Sequence, residues 1–131
     1  MFTHLLVPLD GSDLAEAALP TALAIADRFE SEITLLCVAR SPVLLTSDFT
    51  DVFVSLREEM RQEAAAYIRN QEAVLQSQGY KVNGRVSEGD SVADAILDVA
   101  DELAVDGIVM STHGRGGVKR WVFGSVADRV L

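Results

Sequence analysis

The chain predicts an α/β fold, a single doubly wound parallel sheet with helices on both faces. Three observations lead there. Short apolar runs alternate with longer segments whose apolar residues return every three or four positions. Two of the short runs, Leu5 to Leu9 and Ile33 to Val38, are apolar almost throughout, as strands covered on both faces are. Turn residues mark each change of period, and such alternation requires right-handed crossovers between parallel strands.

Leu5-Leu6-Val7-Pro8-Leu9 is the first strand, stopped by Asp10-Gly11-Ser12. Ser12 or Asp13 caps the helix that follows, where Leu14, Ala18, Ala22, Ile25 and Phe29 share one side. Pro20 lies inside that pattern and removes a backbone donor, so a kink or a late start is expected there. Ile33 to Val38 is the second strand, and 41–50 has no period and reads as a loop. Leu56, Met60, Ala64, Ile68 and Leu75 then mark the core face of a long helix that ends at Gly79. Lys81 to Val86 is more polar and suits a strand near the sheet edge. Glu88-Gly89-Asp90-Ser91 turns the chain into a helix marked by Val92, Ile96, Ala100 and Leu103. Ile108-Val109-Met110 is the fourth strand, running into a glycine-rich loop, and Val126 to Leu131 begins one more helix.

With 131 residues, 49% of them hydrophobic, the chain fits one domain over 1–131 that needs no disulfide or metal. A formal charge of -9 argues against nucleic acid or an anionic membrane surface, which both call for a broad basic face. No leader pattern precedes the first strand and no apolar run is long enough to span a bilayer, so the cytoplasm is the expected compartment. Cys37 reads as a small core hydrophobe and His4 as a surface or edge residue. The histidines and the cysteine make no metal-ligand spacing.

The segment from Met110 to Ser125 carries the chemistry. Between Gly107 and Ala127 there is no carboxylate, while Arg115, Lys119 and Arg120 are present, a local reversal of sign. Glycines let backbone N–H groups approach an anion, and Gly124-Ser125 opening a helix adds free donors. The three cations also fit a solvated basic turn or a contact between chains. In a parallel sheet the ligand lies beyond the carboxyl ends of the strands, where Asp10, Val38 and the loop after Met110 converge. Taken alone, Asp10 also fits a plain turn-capping role.

The chain resembles the nucleotide-binding universal stress proteins along its whole length. The matching residues are Leu6-Val7-Pro8-Leu9-Asp10-Gly11-Ser12, Glu88-Gly89-Asp90, and Asp106 through Gly114, followed by nine residues and Gly124-Ser125. Ser111 stands where that family's first loop glycine belongs. The resemblance implies an adenine nucleotide alpha hydrolase-like fold and an adenine nucleotide, usually ATP, with Mg2+ able to join the phosphates. It implies nucleotide-binding residues at Pro8, Asp10, Val38, Met110, Ser111, His113, Gly114, Arg115, Gly117, Gly124, Ser125 and Val126. Within that set Asp10 meets the ribose or adenine end, Val38 the base, and Met110 and Ser111 the ribose side. Gly114, Gly124, Ser125 and Val126 line the phosphates. It further implies a last edge strand that pairs across a dimer, and this final edge strand is missing from the chain. The open edge is therefore expected to be covered by a neighbouring chain, as a homodimer or other self-association. The leading expectation is an ATP-dependent regulatory or interaction module in stress response. The alternatives are a slow ATP-hydrolysing enzyme, which lacks a P-loop lysine, and a nucleotide-free dimerising module.

Overall fold

The computed structural model describes residues 2–40, 50–89, 91–113 and 119–122, with 40, 50, 51, 112, 113 and 119–122 by backbone alone. In chain order the elements are β1 (His4–Leu9), α1 (Asp13–Glu16), α2 (Leu19–Phe29), β2 (Glu32–Arg40) and α3 (Thr50–Ser77). They continue with β3 (Val82–Gly89), α4 (Val92–Leu103), β4 (Gly107–Ile108), β5 (Met110–His113) and β6 (Lys119–Val122). The main sheet has the order β3-β2-β1-β4, and every pair in it is parallel.

Successive side chains of a strand point to opposite faces, and here that period sorts the core into two layers. Leu5, Val7, Leu9, Ile33, Leu35 and Cys37 pack with Ala18, the N-cap of α2, with Ala22 and Ala26 of α2, and with Ala64, Ile68 and Leu75 of α3. Leu6, Leu36 and Ile108 face the other way, onto Ile96, Val99 and Ala100 of α4. Helices therefore cover both faces, as the alternation of periods predicts. Fully burying one such leucine contributes about 1.5–3 kcal/mol, so these two layers dominate stability.

Pro20 divides the first predicted helix. Ser12 caps α1 by accepting from the Ala15 N–H at 3.1 Å, and α2 restarts at Leu19 with Pro20 in its first turn, where a missing donor costs nothing. The face of α2 on the sheet is Ala22 and Ala26, with its N-cap Ala18; Phe29, predicted to join it, is 39% exposed and packs edge-on against Phe2. α3 begins earlier than its apolar stripe suggests, and Leu56 near its start is exposed while Ala64, Ile68 and Leu75 are buried. A 28-residue helix spans about 42 Å, longer than the eight- or nine-residue strands it packs on, so its first turns overhang the sheet. Gly79 ends it with a φ of 96°. β3 is at the edge, as expected, but runs to Gly89, so Glu88 and Gly89 are paired strand residues opposite Ala39 and Arg40. His4 belongs to a central strand, not an edge, and its ring Nε2 meets the Thr34 hydroxyl at 2.7 Å.

The predicted fourth strand is interrupted. Gly107 and Ile108 pair with Leu5 and Leu6, and the Val109 N–H donates to the Leu6 carbonyl at 2.9 Å. The next β1 amide due on that side belongs to Pro8, which has no N–H, so the ladder stops. Beyond the break, Met110–His113 pairs antiparallel with Lys119–Val122 as a separate two-stranded sheet. Part of the predicted glycine loop is thus a hairpin. Three glycines within 114–118, between two short segments, are a hairpin signal as well as a cradle signal. The helix expected from Val126 to Leu131 lies outside the described residues.

Candidate functional site

The chain winds outward from β1 through β2 to β3, then returns across β1 to β4. Strand order reverses between β1 and β4, and an open parallel sheet binds its ligands at the carboxyl ends beside such a reversal. A cleft of about 240 Å³ opens there. Pro8, Leu9 and Asp10 at the end of β1 form one wall with Ala15 of α1. Leu36 and Val38 of β2 form the floor, and Val92 and Ile96 of α4 close the side. Met110 and Ser111, just past the break, complete it.

Five predicted site residues therefore meet in one place: Pro8, Asp10, Val38, Met110 and Ser111. His113 is described by its backbone only, at the end of β5. Gly114, Arg115, Gly117, Gly124, Ser125 and Val126 lie outside the described residues. The sequence patterns miss Leu9, Ala15, Leu36, Val92 and Ile96 as lining residues. Val92 and Ile96 sit on the apolar stripe of α4, and only the tilt and height of that helix decide which turns meet the core and which meet the cleft.

Asp10 is exposed, and its Oδ1 accepts from the Ser12 N–H at 2.9 Å and the Ser12 hydroxyl at 2.5 Å. Gly11 makes this turn possible, at a φ of 87°. The turn-capping role is thus real and coexists with a place on the cleft wall. Ser111 differs: the residue is 8% exposed, and its Oγ has no hydrogen-bond partner among the described residues. Leaving a buried hydroxyl unpaired costs about 1–3 kcal/mol, and native structures rarely keep such a group without a reason. Cys37 is buried on the opposite face; burial, and then the Asp10 carboxylate, push its thiol up, so it stays protonated. Among the described residues, no three His, Cys, Asp or Glu side chains gather as a metal site, and no helix is long and apolar enough to cross a membrane.

An open parallel sheet with helices on both faces and a cleft at its reversal point defines an α/β domain of the doubly wound class. The chain belongs to the universal stress protein family, whose model matches residues 1–131. Among its relatives is universal stress protein YxiE of Bacillus subtilis, 31% identical, with 99% of this chain and 92% of that protein covered. The solved structure of universal stress protein UspA from Lactobacillus plantarum superposes with a TM-score of 0.76 at 25% identity, covering 98% of this chain and 90% of that one. Two more distant members share the fold. One, a universal stress protein in complex with cAMP, has a TM-score of 0.61 at 24% identity, with 82% of this chain and 75% of that one covered. The other, from Arabidopsis thaliana with AMP bound, has a TM-score of 0.61 at 16% identity, with 88% and 80% covered.

Proposed function

We propose that the protein is an adenine-nucleotide-binding module, with ATP as its ligand, that regulates partners or its own assembly in stress response. The observation that carries this reading is the Ser111 hydroxyl, without a hydrogen-bond partner among the described residues and buried in a cleft that also gathers Asp10, Val38 and Met110. The site is apolar with a few convergent polar groups, the usual character of a small-molecule pocket. At about 240 Å³ the cleft suits a base and sugar better than a whole nucleotide, whose phosphates would extend outward over the glycine-rich segment. The relatives solved with cAMP and AMP support the fold's capacity for adenine nucleotides.

In this reading Val38 packs on the purine, Pro8 and Met110 flank the nucleoside, and Asp10 and Ser111 take sugar or base hydroxyl and amino groups. Backbone N–H groups at Gly114, Gly117, Gly124, Ser125 and Val126 hold the phosphates, with the Ser125 hydroxyl, and His113 and Arg115 lie beside them. Mg2+ would accompany the phosphates. The 131 residues act as one cytoplasmic domain that self-associates, as a homodimer or other assembly.

Calorimetric titration with ATP tests this reading. Wild type binds at one site, and Gly124→Val weakens binding by obstructing the phosphates while the melting temperature holds. Heat of dilution alone from wild type would overturn the proposal, and multiple turnover of ATP with magnesium would replace it with a hydrolase.

A further inference from the structure

The wall of the cleft that carries Asp10 is a small separate unit. Asp10, Gly11 and Ser12 close on one another through the Asp10 carboxylate, and Ser12 caps α1, which is only four residues long. So short a helix has no stability of its own, because its nucleation cost is not repaid. Two of this unit's residues, Asp10 and Ala15, line the cleft.

Its anchor lies behind the sheet. Tyr67, on the α3 side, donates its hydroxyl to Glu16 Oε2 at 2.6 Å, and Glu16 is the last residue of α1. A hollow lined by Asp10, Gly11, Cys37 and Tyr67 lies between the phenol and the start of the unit. The Tyr67–Glu16 hydrogen bond thus ties the far end of the unit to α3. Among the described residues this is its only side-chain hydrogen bond to the rest of the molecule. Tyr67 itself packs with the core layer of β1, β2, α2 and α3, so its ring is fixed by the body of the domain. Burial, and then the Glu16 carboxylate, hold the phenol above its usual range, so it remains a donor throughout the neutral range.

We infer that Tyr67 is a positioning residue for the cleft: by holding Glu16 it fixes the unit that carries the Asp10 wall from the opposite face, and thereby sets ligand affinity. The affinity part rests on the nucleotide reading above; the bracing part does not. The test uses Tyr67→Phe, which keeps the ring, with Glu16→Leu as an independent cut of the same link and Glu16→Gln as the variant that keeps an acceptor.

In the free protein, hydrogen exchange at the Gly11 and Ser12 amides accelerates in Tyr67→Phe and Glu16→Leu, while exchange at Ile33 and Leu35 does not change. The Kd for ATP rises about five-fold in both, the effect of one lost hydrogen bond, and stays within about two-fold of wild type in Glu16→Gln. Unchanged Gly11 exchange in both cutting variants would overturn the brace. Loosened exchange with an unaltered Kd would overturn its role in affinity. If wild type binds no ATP, the nucleotide reading falls and the exchange data still decide the brace.

Discussion

The two ends of β1 are built from the same strand pair and come out opposite. At the amino end the pair is sealed: Asp106 accepts from the Thr3 N–H at 2.5 Å, the Thr3 hydroxyl and the His4 N–H at 2.9 Å, and its own N–H donates to the His4 carbonyl at 2.8 Å. At the carboxyl end Pro8 offers no donor, β4 stops pairing, and the chain departs into β5. The cleft lies where the ladder cannot continue, with Ser111 on the far side of the gap. A carboxylate closes one end and a proline opens the other. The cleft thus opens at the reversal of strand order, where Pro8 withholds the next β1 N–H from β4.

The contrast can be broken at several points. The largest effect belongs to the shared middle of the strand: Leu6→Ala removes a fully buried side chain and costs about 2–5 kcal/mol, measured as a lower midpoint in urea. Next comes the sealed end, where Asp106→Ala costs about 2 kcal/mol and speeds exchange at Thr3 and His4. The Asp106 carboxyl is held below its usual range, first by the Thr3 hydroxyl and then by the His4 and Thr3 N–H groups. Its contribution is therefore complete above the unfolded value of about 3.9 and is lost as pH falls through the lower folded value. Acid unfolding followed by circular dichroism shows this limb in wild type, and Asp106→Asn flattens it.

At the open end, Pro8→Ala supplies the missing donor. The new amide becomes protected from exchange, the cleft narrows, and ATP affinity drops; rapid exchange at residue 8 with unchanged affinity contradicts the idea that the proline opens the site. The smallest change in stability has the opposite sign to the others. Ser111→Ala removes a buried hydroxyl that is unpaired among the described residues, so the free protein gains about 1 kcal/mol while the Kd for ATP rises about five-fold. A melting temperature that falls in this variant shows that the hydroxyl already has a partner in the free protein.

Much of this architecture is legible in the sequence because its signals are local. Leu5–Leu9 and Ile33–Val38 announce strands buried on both faces, Pro20 announces a break, and Gly79 announces a helix end. The convergence of Asp10, Val38, Met110 and Ser111 follows once the alternation of elements is read as a parallel sheet. What escapes depends on three-dimensional neighbours. The halt at Val109 requires knowing which side of β1 faces β4, since only then does Pro8 fall on the donor side. The exposure of Phe29 and Leu56 depends on how far α2 and α3 extend along the sheet. Tyr67 has no sequence signature at all, because its partner Glu16 lies more than fifty positions away.

The central claim is that the open end of β1, and not the sealed end, receives an adenine nucleotide. Titration of uniformly 15N-labelled protein with ATP, followed by amide resonances, tests it most directly. Saturable shifts are expected at Asp10, Val38, Met110 and Ser111, with Thr3, His4 and Asp106 unmoved. Saturating ATP that leaves the first group in place, or that moves only the second, would contradict it.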